Sequence, residues 1–322
     1  MPRPLRRPVS RRPGLLRLAP LLLATAAAAA PAEPGPVRVT QMQMGMIVHI
    51  TVWTGEVQAG RHACGDAFRR MLELNRVFSD YEPDSELRRL CKAAGAGPVK
   101  VSPELFEVLS FSRTLAERTG GAFDPTAAPV IQLWRQARRE GKLPAPDALK
   151  EARALTGWRD LVLDPAAGTA ELRRPGMRLD LGAVAKGYIA DQSLAVLREK
   201  GFPAAMIEAG GDTLFGDAPP GRPGWPVESP APGVPALDAA NQAVSISGDS
   251  MQNLVVDGVT YSHVIDPRTG MALTNRVVCV VVAGRGMVTD ALSTCGSLLP
   301  EEEWRAALLA TDPKARGWRF VE

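Results

Sequence analysis

The chain has 322 residues, 45% of them apolar, with 38 basic against 35 acidic residues, three histidines and four cysteines. That length and apolar content are enough for one large core or two intimate ones. So few histidines, and cysteines without a Cys-x-x-Cys pair, argue against a structural zinc centre, and no Lys/Arg run with interleaved aromatics stands past residue 32, which argues against nucleic acid as a partner.

The first 32 residues have the layout of a signal peptide. Arg3, Arg6, Arg7, Arg11, Arg12 and Arg17 precede any acid, Leu15 to Ala30 is apolar apart from Arg17, and Ala30-Pro31-Ala32 offers small residues for cleavage. The apolar stretch, broken by Pro20, is short of the ~20 clean apolar residues of a membrane span. Residues 1–32 are therefore expected to be a signal peptide and 33–322 a periplasmic domain, with inner-membrane association if the signal stays uncleaved. Ser10-Arg11-Arg12 leaves twin-arginine export open beside the general route. Without this segment, 32 basic residues stand against 35 acidic ones, so the excess of positive charge belongs to the leader.

Past the leader, residues 37–55 alternate as one strand through Val37, Val39, Met46, Val48, Ile50 and Val52. Helical spacing of apolar residues runs from Val57 to Phe78, and Pro103 opens another helix that Gly120-Gly121 ends. Trp158 to Leu172 reads as two short strands around a turn at 164–168. A helix is expected over 183–199, a strand over 204–208, a Pro/Gly-rich surface excursion over 219–235, strands within 243–265 and over 277–282, and helix over 288–309 broken at Pro300. Strands and helices mix without regular alternation, which predicts an α+β fold rather than a doubly wound sheet. Cys64 and Cys279 lie in apolar-periodic segments and read as small core residues.

Three stretches carry candidate chemistry. In Tyr261-Ser262-His263-Val264-Ile265-Asp266-Pro267-Arg268-Thr269-Gly270, an imidazole, a carboxylate and a guanidinium fall where a strand breaks into a turn. The stretch reads equally well as a core histidine before an ordinary turn. In Leu179-Asp180-Leu181-Gly182-Ala183-Val184-Ala185-Lys186-Gly187, a strand enters a helix whose bare N-terminus suits phosphate, with Lys186 to add a charge; a tight junction with a solvated lysine is the plainer alternative. In Thr289-Asp290-Ala291-Leu292-Ser293-Thr294, a carboxylate and a hydroxyl stand four apart on one helix face, a pairing suited to Mg²⁺, though also to a helix start with Thr294 as packing.

Together the stretches resemble the ApbE family, the FAD:protein FMN transferases. Met44-Gly45, Phe78-Ser79-Asp80-Tyr81, Gly120-Gly121-Ala122-Phe123-Asp124-Pro125-Thr126, Ala209-Gly210-Gly211-Asp212 and Ser247-Gly248-Asp249 follow the family's blocks in the family's order. Met46, Cys91 and Ala128 depart from its threonine, asparagine and glycine, and Met251-Gln252-Asn253 lacks an arginine often found there. The resemblance implies a T-fold-like architecture with the active site between two intimate lobes. It implies Mg²⁺ held by the Ala183 carbonyl, Asp290 and Thr294, with Ser293 beside them. Flavin contacts are implied at Met44, Tyr81, Ala122, Phe123, Asp124, Asp180, Lys186 and Val264. His263 is the candidate base, or else positions a phosphate with Asp266 turning its ring. The implied reaction cleaves FAD, attaches FMN to a threonine of an acceptor redox protein and releases AMP. Two rivals remain at this stage: an FAD pyrophosphatase that delivers FMN to water, and a non-catalytic periplasmic flavin-binding protein.

Overall fold

A seven-stranded sheet, antiparallel throughout, is the frame on which everything else is placed. Its strands lie in the order Gly35–Gln43, Met46–Thr54, Ala205–Ala209, Asp212–Phe215, Gln242–Ser247, Val277–Ala283 and Arg316–Val321. The computed structural model describes residues 1–2, 33–229, 233–248 and 253–321. The expected signal peptide lies outside the described residues, and from residue 33 on they belong to one compact unit.

Helices α1 (Val57–Phe78), α2 (Glu86–Lys92), α3 (Pro103–Arg118), α4 (Ala128–Glu140), α5 (Pro146–Ala154), α6 (Ala185–Glu199), α7 (Gly286–Leu298) and α8 (Glu301–Thr311) follow in chain order. The helix α1 buries Ala63, Cys64, Ala67, Phe68, Met71, Leu74 and Phe78, a stripe at three- and four-residue spacing. It joins α6 and α7 on one face of the sheet, in a core that includes Val48, Ile50, Val52, Ile207 and Val281. The helix α3 starts as its sequence demands, with Pro103 in the first turn and the Ser102 hydroxyl accepting from the Leu105 amide.

The other face of the sheet is covered too. Trp225, Val234 and Ala239 pack on Phe215, Val244, Val280 and Val282. The Pro/Gly-rich excursion is thus no mere surface loop: its strand Trp225–Val227 pairs with Leu237–Ala239 just beyond it, and their apolar side chains close the back of the sheet. This explains the unbroken run Val277-Val278-Cys279-Val280-Val281-Val282, a strand buried on both faces.

A second, smaller core lies around α4 and α5. It gathers Val130, Trp134, Ala137 and Ala152 with Leu254, Ile265 and Ala272 from two short hairpins. The Trp134 indole donates to the Gly270 carbonyl at 2.8 Å and pins one hairpin to the helix.

The α+β class expected from the mixed elements is the class observed. The expected single strand over 37–55 is instead a hairpin, turned by Met44 (φ +52°) and Gly45 (φ +73°). Two successive residues with positive φ suit the two-residue turn that joins right-twisted strands. The helix expected to begin at residue 183 begins at Ala185. The helix α5, the middle of α4 and the last strand carried no sequence expectation.

Candidate active site

The site is built where α6 and α7 cross. A Cβ added to Gly187 would lie 2.0 Å from the Gly286 carbonyl oxygen, so the backbones meet with no room for a side chain. Each helix then supplies a carboxylate to the other's N-terminus. Asp191 of α6 accepts from the Gly286 and Met287 amides at 2.7 and 3.0 Å, and Asp290 of α7 accepts from the Gly187 amide at 3.1 Å. The exposed N–H groups and positive dipole end of each helix are the physical reason.

Asp290 is 4% exposed. Its other carboxylate oxygen receives the Lys186 ammonium at 2.7 Å, and Asp212 lies 3.7 Å from the same nitrogen. Burial pushes the Asp290 carboxyl up to about 6, with Lys186 opposing and Asp212 adding to the rise. Burial alone would pull Lys186 down, but Asp290 and Asp212 together hold its ammonium above the ordinary lysine value. Lys186 also donates to the Gly182 carbonyl at 3.0 Å. Expected as a free phosphate ligand, Lys186 is thus the counterion of two sheltered carboxylates. One ammonium facing two carboxylates leaves a net negative charge, which suits a cation.

One cleft of about 780 Å³ collects every residue singled out in the sequence: Met44, Tyr81, Ala122, Phe123, Asp124, Asp180, Ala183, Lys186, His263, Val264, Asp290, Ser293 and Thr294. These residues come from segments scattered over most of the chain. The cleft opens between the two cores, with Phe78, Leu181 and Ile189 from the larger and Ile131 and Ile265 from the smaller. Ala122, Phe123 and Val264 are buried in its wall, whereas Tyr81 is 75% exposed. The Ser293 and Thr294 hydroxyls donate to the Asp290 backbone carbonyl at 3.0 and 3.3 Å, which keeps their lone pairs for another partner. Among the described residues, no group of three or more His, Cys, Asp or Glu side chains is arranged as a metal centre. Asp290, Ser293, Thr294 and Ala183 line the cleft beside this helix crossing.

Several expectations change in detail. Asp124 was expected to accept from a ligand, but its oxygens take the Thr126 amide and hydroxyl at 2.8 and 2.6 Å and the Trp158 amide at 3.1 Å. Burial raises its pKa against those bonds. Asp180 accepts from the Gly182 amide at 2.8 Å and from Arg135 at 2.7 Å, and Arg135 also pairs with Asp80. The Asp266 carboxylate turns to Arg268, from which both its oxygens accept, and Arg268 in turn donates to the Leu298 carbonyl at the end of α7. The Asp-Pro-Arg-Thr-Gly turn is therefore a strut, and only His263, Val264, Ile265 and Pro267 of that stretch line the cleft. His263 is held in place by its neighbours: the Ser262 amide donates to the Leu273 carbonyl, and the Leu273 amide to the Val264 carbonyl.

Sequence reasoning missed Asp80, Arg135, Arg138 and Asp212 as lining residues. Asp80 and Asp212 sit inside blocks already noticed. Arg135, on α4 with its guanidinium 5.0 Å from the Tyr81 ring centroid, carried no signal of its own.

An antiparallel α+β domain with one deep, carboxylate-lined cleft at the seam of its two cores is the class this architecture defines. The ApbE family profile matches residues 44–316, and the chain belongs to that family. It is 32% identical to the FAD:protein FMN transferase of Treponema pallidum, over 83% of this chain and 80% of that protein. It is also 32% identical to that of Vibrio cholerae, over 74% of this chain and 73% of that protein. Among solved structures, a mutant of the flavin transferase ApbE from Vibrio cholerae aligns with a TM-score of 0.79 at 27% identity, covering 89% of this chain and 94% of that one. The ApbE protein from Thermotoga maritima aligns with a TM-score of 0.77 at 26% identity, over 89% and 94%.

Proposed function

We propose that this chain is an exported FAD:protein FMN transferase. It cleaves the pyrophosphate of FAD, joins the FMN phosphate to a threonine hydroxyl of an acceptor redox protein, and releases AMP. The observation that carries this reading is the convergence of widely separated segments on one cleft of about 780 Å³, within the range of cofactor-sized sites.

The residues fit a hard cation. The Asp290 carboxylate, the Ser293 and Thr294 hydroxyls and the Ala183 carbonyl would hold Mg²⁺ beside a cluster with net negative charge. When bound, the ion supplies charge neutralisation and Lewis acidity at the phosphates. Lys186 then keeps the paired carboxylates in place. Tyr81, Met44 and the buried wall of Ala122, Phe123 and Val264 receive the flavin, an amphipathic ring against an apolar surface. Asp124 and Asp180 shape that wall through their own loops. His263, which lines the cleft, accepts the proton of the attacking hydroxyl as general base. The arginine-rich leader ending at Ala30-Pro31-Ala32 supports export to the periplasm and a mature N-terminus near Glu33.

Incubation with FAD, Mg²⁺ and an acceptor domain of a membrane redox protein, followed by a denaturing gel, tests the reading. Covalent flavin fluorescence on the acceptor is expected. His263→Ala should lower both this transfer and the slower release of FMN and AMP in the absence of acceptor. Steady cleavage of FAD with no acceptor ever labelled would replace the transferase by a pyrophosphatase.

A further inference from the structure

A second depression adjoins the active-site cleft and shares a wall with it. Its volume is about 710 Å³, and Asp80, Tyr81 and Arg135 line both. The helix α4 is the ridge between them. Ala127, Ile131, Arg135 and Arg138 border the cleft, while Gln132, Gln136 and Arg139 border the groove, as a 3.6-residue repeat requires of a helix lying between two depressions.

The groove's floor is apolar, built from Pro129, Leu133, Ala152 and Leu155, and its rim is basic. Arg88, Arg135, Arg139 and Arg178 face two carboxylates, Asp80 and Glu151. Asp80 is already committed to Arg135. Arg88 donates to a neutral backbone carbonyl, that of Asp80, at 2.9 Å, so its charge stays uncompensated. Neither Arg139 nor Arg178 forms an ion pair or a side-chain hydrogen bond among the described residues. Nearby, Arg138 has a sheltered guanidinium nitrogen without a hydrogen-bond partner. Burial, and then repulsion from Arg135 and Arg139, pulls its pKa down. The ridge therefore has more positive charge than its own carboxylates neutralise, beside a cleft whose other charged side chains are mostly acidic.

We propose that this groove docks an acidic, extended segment of the acceptor polypeptide and leads its threonine over the Tyr81–Arg135 wall into the cleft. The inference rests on the transfer reading, since a hydrolase needs no polypeptide site. An apolar floor rimmed by Arg88, Arg139 and Arg178, none of them in an ion pair among the described residues, fits a chain that offers carboxylates at the edges and small apolar side chains at the centre. The position fits as well. Holding a nucleophile at high effective concentration beside a bound dinucleotide is what lets a hydroxyl outrun water.

The test uses the mature protein, a fluorescein-labelled glutamate-rich peptide carrying one threonine, and its lysine-rich counterpart. Fluorescence anisotropy without Mg²⁺ reads peptide binding, and flavin fluorescence quenching reads FAD binding. The intact protein should prefer the acidic peptide. The double variant Arg139→Glu/Arg178→Glu should weaken that binding by about tenfold or more, because two rim charges are reversed. Its FAD affinity should stay within about twofold, which also shows that the variant is folded. If the reversed pair fails to fold, Arg139→Gln/Arg178→Gln should show a smaller loss in the same direction. Equal peptide binding by variant and parent, or no preference for the acidic peptide, overturns the proposal. So does a variant that loses FAD and keeps the peptide, which would assign the groove to the nucleotide. Adding Mg²⁺ and FAD separates the two readings. Peptide bound through Arg139 and Arg178 but never labelled sinks threonine transfer while the docking groove stands. Labelling that ignores both arginines sinks the groove while transfer stands.

Discussion

Asp124 and Asp290 line the same cleft, and burial raises the pKa of both, yet they are held in opposite ways. Asp124 accepts from the Thr126 amide and hydroxyl and from the Trp158 amide. Thr126 passes the connection on, since its hydroxyl also accepts from the Gly157 amide at 2.8 Å. The partners of Asp124 are thus mostly main chain, which cannot leave without unfolding the loop. Asp290 has one backbone partner, Gly187, and one mobile partner, the Lys186 ammonium. A lysine has three rotatable donors on a flexible stem and can give up an oxygen to an incoming cation. The lesson is that sheltered carboxylates in one cleft are sorted by what holds them. Backbone donors mark a strut, and an exchangeable counterion fits the ligand role proposed for Asp290.

The sharpest way to break this contrast is Asp290→Asn. Asparagine keeps the size and an acceptor for the Gly187 amide, so the α6–α7 crossing should survive. The proposed anionic ligand is gone, and FMN transfer should fall on the order of a hundredfold or more, with a higher Mg²⁺ requirement for what remains. Transfer at the parental rate in low Mg²⁺ would mean that Asp290 is a strut after all.

The complementary change is Asp124→Ala, whose effect should appear in stability. Three donors lose their acceptor in a largely sheltered loop, at a cost of about 2–4 kcal/mol. For a domain of this size that corresponds to a fall in Tm on the order of 10 °C. The folded fraction should keep most of its turnover per active site. A variant with parental Tm and no transfer would put Asp124 on the substrate.

How far the sequence anticipated this arrangement depends on the distance over which each feature is specified. The extent of α1, the capped start of α3 and the breaks at Gly120-Gly121 and Pro300 are local, and residue spacing and turn chemistry reveal them. The first hairpin was legible too, though misread. Apolar residues fall at odd positions through Val37 and Val39 and at even ones from Met46 to Val52. That slip of phase marks the turn at Met44 and Gly45. The family blocks supplied the lining residues, because a site's side chains survive in short motifs. What holds those side chains was hidden. Asp290 meets Gly187, and Asp191 meets Gly286, across about a hundred residues of chain. No period or spacing records such a contact. The covered back of the sheet was missed for a related reason: the residues that cover it, Trp225 and Val234, sit in a segment whose composition reads as loop.

The smallest expected effect tests the contrast without touching catalysis. In metal-free protein the Asp290 carboxyl is pushed from an ordinary 3.8 to about 6 in the folded state. Between those values the native state holds a proton that the unfolded chain has released. Rising pH through that window therefore removes stability, by at most about 1.4 kcal/mol per pH unit, and above about 6 the contribution is flat. Asp290→Asn has no such proton. Denaturant unfolding of the two proteins at both ends of the window, with Mg²⁺ chelated, should show the parent losing stability relative to the variant as pH rises. Mg²⁺ competes with the proton for the carboxylate, so adding it should shrink that relative loss. Equal pH dependence in parent and variant would mean that Lys186 keeps Asp290 ionised throughout. The carboxylate would then be as fixed by its partners as Asp124 is by its loop, and the cation site would have to rest on the Ser293 and Thr294 hydroxyls alone.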